Sequence, residues 1–256
     1  MKVATFNANS IRSRMPIILD WMKQHKPDIL CIQETKVRDN DFPAKVIHAT
    51  GYGVIFSGEK SYNGVAILSR MSPTDIRYGL DDGNTADPAR LIAATYENMH
   101  VINTYVPQGR ALDHQMYAYK LQWLKRLRRY FERHYNTADR VIWAGDMNVA
   151  PTPLDVNHPE RHAQHVCYHD DARKAFANCA AWGFTDVFRT FHPEERLYSF
   201  YDYRVKNAIE KGLGWRIDAI MATQPLAGTC TNAWIDLEPR KREKPSDHTF
   251  LVAEFN

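Results

Sequence analysis

Apolar and polar positions divide the chain into short alternating or continuous hydrophobic runs and a few longer helical repeats. Runs at residues 3–6 and 29–32 flank a segment in which Ile11, Met15, Ile18, Leu19 and Met22 recur near helical spacing, which predicts strand, helix, strand. Further β-like runs at residues 52–56, 65–68, 91–96 and 101–105 are separated by Gly, Pro and Asp, with no room for helices between several of them. The clearest helix spans residues 112–134, because Leu112, Met116, Tyr119, Trp123, Leu127 and Tyr130 repeat every three or four positions. A buried strand at 141–144, a loop rich in Pro and His, a helix near 172–182 and strands at 217–221, 233–237 and 250–255 complete the pattern. Strands in both halves, several joined without helices, predict an α/β sandwich with mixed or antiparallel sheets rather than a regular βαβ domain. With no linker, repeat or low-complexity tract, residues 1–256 are expected to form a single domain.

Composition narrows the class without naming it. Hydrophobic residues are 44% and charged residues 25% of 256, close to the globular average, which excludes a disordered chain. The longest apolar stretches, such as residues 64–68, fall far short of the roughly 18 a membrane span needs. The N-terminus carries no signal-peptide pattern, so the expected location is the cytoplasm, with the four dispersed cysteines reduced. The net charge of +3 permits a polyanionic partner where positive charge clusters. Lys120, Lys125, Arg126, Arg128, Arg129, Arg133 and Arg140 line one such stretch, read as a solvated helix face. The basic segments 204–216 and 240–244 are better placed to meet phosphate, the second lying just before Asp247 and His248.

Polar residues that are awkward inside strands gather at the ends of the apolar runs. Asn7 and Asn9 follow the first, Gln33 and Glu34 the second, and Asp146 and Asn148 the run at 141–144; Asp218 lies at another and Asp247–His248 precede the last. Carboxylates, an Asn and a His are the types expected for metal-assisted phosphodiester cleavage, since Mg²⁺ prefers oxygen ligands. Neither G-x-G-x-x-G nor G-K-[S/T] is present, so no nucleotide cofactor is implied.

Six blocks in order, Asn7-Ala8-Asn9-Ser10-Ile11-Arg12, Gln33-Glu34-Thr35-Lys36, Tyr105-Val106-Pro107-Gln108-Gly109, Gly145-Asp146-Met147-Asn148, Trp215-Arg216-Ile217-Asp218 and Pro245-Ser246-Asp247-His248, together resemble the exonuclease III family, bacterial branch. The resemblance implies the DNase I-like fold, a four-layer α/β sandwich of two mixed sheets packed face to face and flanked by helices. It implies a Mg²⁺-dependent DNA-repair nuclease, with Mn²⁺ able to substitute, that cuts 5′ of abasic sites and trims 3′ ends of double-stranded DNA as a monomer. By matching motif, Glu34 would be the principal metal ligand, helped by Asn7 and Asp247, while Asp146 activates water and Asn148 holds a phosphate oxygen. Asp146 and Asn148 could also share a second metal. His248, oriented by Asp218 and acting as proton acceptor or as charged clamp according to its protonation, and the Tyr105 phenol would contact the scissile phosphate.

The same resemblance places Phe200, Trp215 and Ile217 at the apolar pocket for a flipped abasic sugar. Asn9, Arg90, Gln108, Arg110 and Arg204 would contact DNA. Ser10, Tyr201 and Ala172-Arg173 depart from the family pattern, which bears on the shape of the DNA groove and the balance of the two activities. His158, His162, His165 and His169 would align for zinc if their segment were helical, but Pro151, Pro153 and Pro159 predict a loop. The competing readings are an inositol-phosphate or lipid-headgroup phosphatase of the same superfamily, a nuclease specialised to only one of the two DNA activities, and a non-catalytic DNA-binding module.

Overall fold

A computed structural model of the chain describes residues 1–84 and 87–256. Its first sheet contains β1 (Lys2–Asn7), β2 (Ile29–Gln33), β3 (Gly53–Ser57) and β4 (Val65–Ser69), joined late in the chain by β11 (Cys230–Asp236) and β12 (Phe250–Phe255). The second contains β5 (Thr74–Tyr78), β6 (Leu91–Tyr96), β7 (Met99–Tyr105), β8 (Arg140–Asp146), β9 (Phe184–Asp186) and β10 (Asp218–Thr223). Their orders are β11-β12-β1-β2-β4-β3 and β5-β6-β7-β8-β10-β9. Each sheet is mixed, with one parallel pair, β1–β2 or β7–β8, at its centre.

Alternation along each strand separates three cores. Val3, Ile29, Cys31, Ile67, Val101, Ile142 and Ile220 point between the sheets. Phe6, Leu30, Ile32 and Leu68 point outward onto α1 (Ile11–His25), which returns Ile11, Ile18, Trp21 and Met22; α2 (Ala44–His48) adds Ile47. On the other flank Ile102, Trp143 and Met221 meet Trp123, Leu127 and Phe131 of α3 (Gln115–His134) and Phe176 of α4 (Asp170–Ala180). The short helices α5 (Val187–Phe191) and α6 (Gln224–Ala227) complete the set. The architecture is therefore the four-layer α/β sandwich, and the burial of the inner strands β1, β2, β4, β7, β8 and β10 explains why these read as continuous apolar runs.

Boundaries differ where side-chain caps decide them. The 112–134 helix begins at Gln115, because the His114 side chain accepts from the Met116 amide, and the 172–182 helix begins at Asp170 behind His169, which caps Asp171 in the same way. β5 was invisible to periodicity because it is an exposed edge strand, and β9 because it has only three residues. The basic face of α3 is a free surface only in part, with Lys125 and Arg129 exposed. Arg126 is clamped by Asp82 and Asp87, Arg133 donates to the Leu80 and Asp81 carbonyls, and Lys120 is fully buried.

Gly145 lies in β8 one residue before Asp146, at φ +142°, and a Cβ there would sit 1.9 Å from the Thr104 carbonyl oxygen on neighbouring β7. The close approach of β7 and β8 thus requires glycine. Gly145→Ala is expected to lower stability by on the order of 2–4 kcal/mol, read as a fall in urea midpoint at constant m. An unchanged midpoint would show that the strands part without cost.

Candidate active site

Strand register does most of the assembly. Tyr105 on β7 stands opposite Asp146 on β8, and Asp146 opposite Asp218 on β10, so three side chains share one level of the second sheet. In the first sheet Asn7 ends β1 beside Gln33, which ends β2 directly before Glu34. The loop into β12 adds Asp247 and His248. All of them line one cleft of about 540 Å³ or stand directly against it.

Hydrogen bonds knit the two sheets together at this point. The Asn7 amide nitrogen donates to Glu34 Oε1 at 2.8 Å and to Asp146 Oδ2 at 2.9 Å, one donor shared by a carboxylate from each sheet. Asp146 Oδ1 accepts from the Asn148 amide at 2.8 Å, and the Asn148 side chain donates to the Val106 carbonyl at 2.9 Å. Asn9 donates to Asp247 Oδ1 at 3.0 Å, and Ser246 Oγ donates to the Asn7 carbonyl at 2.8 Å. Glu34 and Asn148 hold φ near +50°, a conformation costly for side-chain-bearing residues and maintained here by these surrounding bonds.

The charges are mutually compensating. Burial raises the Glu34 pKa, but the Lys36 ammonium 2.7 Å from its Oε2 outweighs this and holds the carboxyl below its ordinary value. His248 Nδ1 lies 2.9 Å from Asp218 Oδ2, with Nε2 3.8 Å from Asp146 Oδ2. Burial alone would lower the imidazole pKa; the Asp218 and Asp146 carboxylates outweigh it and push it up to about 10. Asp146 is pushed up to about 7, chiefly by burial, with His248 opposing. Tyr105 is raised well above a free phenol by burial and by the carboxylates of Glu34 and Asp146, so it keeps its proton and can donate.

Beside the carboxylates is an apolar wall. Phe200 lies edge-on to His248 at 4.9 Å between ring centres and bridges to Trp215, with Ile217 and Leu213 completing the face. The histidine-rich segment forms turns and one short 3-10 helix at Pro159–Arg161, not a helix presenting four aligned rings. Instead His162 and His165 both pack against Trp215, at 4.7 and 4.6 Å, and line the same cleft. His165, pushed down to about 4 by burial, is neutral. The cluster of potential ligand atoms found among the described residues is Asp146, Asp218 and His248.

Not every expected DNA contact is presented to solvent. Gln108 and Arg204 line the cleft, the latter exposed and paired with Asp202. Arg110 is exposed, its amide bound by the Gln108 side chain. Arg90, by contrast, is only 7% exposed, and its guanidinium lies 4.8 Å from the centre of the Tyr105 ring and donates to the Tyr105 carbonyl. Its position suits holding Tyr105 in place rather than an open groove contact. Asn9 is likewise occupied by Asp247 and by Lys36. Lys36 and Ser246 were within recognised blocks but had no assigned part; their spacing, two residues after Glu34 and one before Asp247, was the available signal.

A sequence model of the endonuclease/exonuclease/phosphatase family matches residues 4–248. The chain belongs to that family. Exodeoxyribonuclease III of Haemophilus influenzae is 32% identical over the full length of both chains, which places this family member with the exonuclease III proteins. An AP endonuclease from Archaeoglobus fulgidus is 54% identical with a TM-score of 0.98, covering 100% of this chain and 99% of its own. The 3′-5′ exonuclease NExo of Neisseria meningitidis is 36% identical with a TM-score of 0.95, covering both chains in full. The family is one of metal-dependent phosphoesterases, and the buried carboxylates of this site match that chemistry.

Because Asp218 is the nearer anion, Asp218→Asn is expected to bring the His248 pKa down from about 10 towards that of a free imidazole. Titration of the imidazole C–H resonances by NMR reads this directly. A pKa that stays where it was would assign the proton's retention to Asp146 instead.

Proposed function

We propose that this protein is a Mg²⁺-dependent DNA-repair nuclease that cuts 5′ of abasic sites and removes nucleotides or blocking groups from 3′ ends of duplex DNA. The observation that carries the reading is the meeting of Glu34, Asp146, Asn148, Asp218 and His248 from both sheets in one cleft walled by Phe200, Trp215 and Ile217. Relatives named exodeoxyribonuclease III and AP endonuclease support both activities. The site is complete within one chain, which suits a monomer.

The donors fit a hard divalent cation. Glu34, Asp146 and Asp247 offer carboxylate oxygens, and the buried Asp218 Oδ1 has no hydrogen-bond partner. Glu34 with Asp247 would hold Mg²⁺ or Mn²⁺, and Asp146 with Asn148 could hold a second; Asn7, which presents its amide nitrogen to Glu34 and Asp146, orients these carboxylates rather than binding the ion. The metal would supply charge neutralisation at the phosphate oxygens.

The chain's own groups perform the rest. Asp146, with a pKa lifted to about 7, is poised to take a proton from water near neutral pH. The Tyr105 phenol donates to a phosphate oxygen as negative charge builds on it, and the Asn148 amide joins it by exchanging its long 3.2 Å bond to Asp146 Oδ2 for a phosphate oxygen. His248, held protonated by Asp218, acts as a charged clamp on the phosphate. The apolar wall accepts a sugar lacking its base and excludes water from it, favouring a nucleic-acid substrate over a small headgroup.

The deciding experiment uses two end-labelled duplexes, one with an abasic-site analogue and one with a recessed 3′ end, each in Mg²⁺ and in EDTA. Metal-dependent incision at the lesion together with a ladder from the 3′ end is expected. Turnover of inositol phosphates with neither duplex cut would replace this reading with a headgroup phosphatase. Asp146→Asn should slow cleavage by about 100- to 10,000-fold while DNA affinity stays within a few-fold; equal losses in both would refute its role. The rate should rise as Asp146 ionises around pH 7 and fall as His248 loses its proton towards pH 10. In Asp218→Asn the alkaline limb should move to lower pH.

A further inference from the structure

Lys120 stands in the second turn of α3 with none of its surface exposed. A buried ammonium is costly unless its protons are satisfied. Its Nζ donates to the carbonyls of Gln108 at 3.2 Å, Asn148 at 2.7 Å and Val166 at 2.7 Å. Three donors thus meet three acceptors, and no carboxylate touches them. The acceptors come from two connections: Gln108 from the one after β7, and Asn148 and Val166 from opposite ends of the one after β8, which includes the histidine-rich segment. Gln108 and Asn148 line the cleft, and Val166 lies between His165 and Cys167, which also line it.

The surroundings are shaped to this side chain. Gly109, at φ +104°, packs so closely that a Cβ would lie 3.4 Å from Lys120 Cδ and 3.2 Å from the Tyr117 ring. Asn148 is in the left-handed region, and its main chain is gripped on both sides, the amide by Asp146 and the carbonyl by Lys120. A residue in that conformation keeps its direction only while its neighbours over-determine it.

We propose that Lys120 is a positioning residue, its ammonium tying the connection after β7 and both ends of the connection after β8 to α3 and thereby aiming the Asn148 side chain and the Gln108 rim at the substrate phosphate. The inference rests on the nuclease reading for its effect on rate, but the positioning itself is a property of the free protein. Arg cannot replace Lys here, because a planar guanidinium spreads its donors rather than converging them on one point.

Lys120→Met keeps the stem and removes the donors. Assayed well below the unfolding midpoints of both proteins, it should lose single-turnover rate by on the order of 100-fold, with KM for duplex within about threefold. Lys120→Arg keeps the charge and should lose rate in the same sense, which preserves the test should the Met variant fail to fold. Combined with Asn148→Ala, Lys120→Met should cost at most about twofold more than Asn148→Ala alone, because both remove the same interaction. Full rate in Lys120→Arg, or losses that multiply in the double variant, would overturn the proposal. Amide hydrogen exchange of the substrate-free protein reads the positioning separately: faster exchange at residues 108–110, 148–150 and 166–167 is expected in the variant. Unchanged exchange there would sink the inference even if the parent cuts DNA, whereas a parent inactive on every duplex would sink the nuclease reading and leave the exchange result to decide on Lys120.

Discussion

The two sheets are held in register by a polar tie buried between them. Asn103 on β7 donates to the Ile32 and Ala66 carbonyls of the opposite sheet, at 2.9 and 2.8 Å, and accepts from Gln33 at 2.7 Å. Apolar contacts between flat faces resist separation but only weakly resist sliding; directional bonds in a dry interior resist both. Glu34 follows Gln33 by one residue and Tyr105 follows Asn103 by two. The tie therefore fixes the distance between the halves of the cleft, and every cross-sheet contact of the site, including the shared Asn7 donor, depends on it.

That alignment gathers charge that would be prohibitive singly. Glu34 is offset by Lys36, Asp218 by His248, and Asp146 by His248 and the Asn7 amide. Each carboxylate is partnered, yet the partners are ones that a cation or a phosphate can replace or join. Structural ion pairs elsewhere in the chain are different in kind. Arg216, Asp155, Asp186 and Arg189 form a closed, buried network that pins the start of β10 and has no face on the cleft's carboxylates. The first set is built to exchange partners and the second to keep them.

Much of this was legible in the sequence, and the reasons for what was not are specific. Continuous apolar runs marked the buried strands, and polar residues at their ends marked the site, because strand ends are where a buried sheet can afford a carboxylate. β5 escaped because its exposed edge carries no hydrophobic signature. Lys120 was read as solvated since helical periodicity reports which face is apolar, not whether carbonyls wait beneath a charged residue. Arg90 was read as a groove contact for the converse reason: its partner, the Tyr105 ring, is adjacent only through strand pairing. Asn103 and Gln33 sit inside apolar strands and gave no warning of a cross-sheet tie, because their partners are 70 or more residues away or are main-chain atoms. The histidines beside Trp215 were correctly placed on a loop, but the path of that loop over the cleft follows from tertiary packing alone.

The order in which the strands enter the first sheet has a consequence for synthesis. β12 pairs with β1 on one side and β11 on the other, so the outer edge of β1 is covered only after more than 200 further residues have been made. Asn7 and Glu34 emerge from the ribosome early, whereas Asp247 and His248 arrive directly ahead of β12. A partly translated chain therefore holds half of a phosphoester-cleaving centre and no completed one. The cleft's last two polar residues, Asp247 and His248, are therefore placed only when β12 docks against β1.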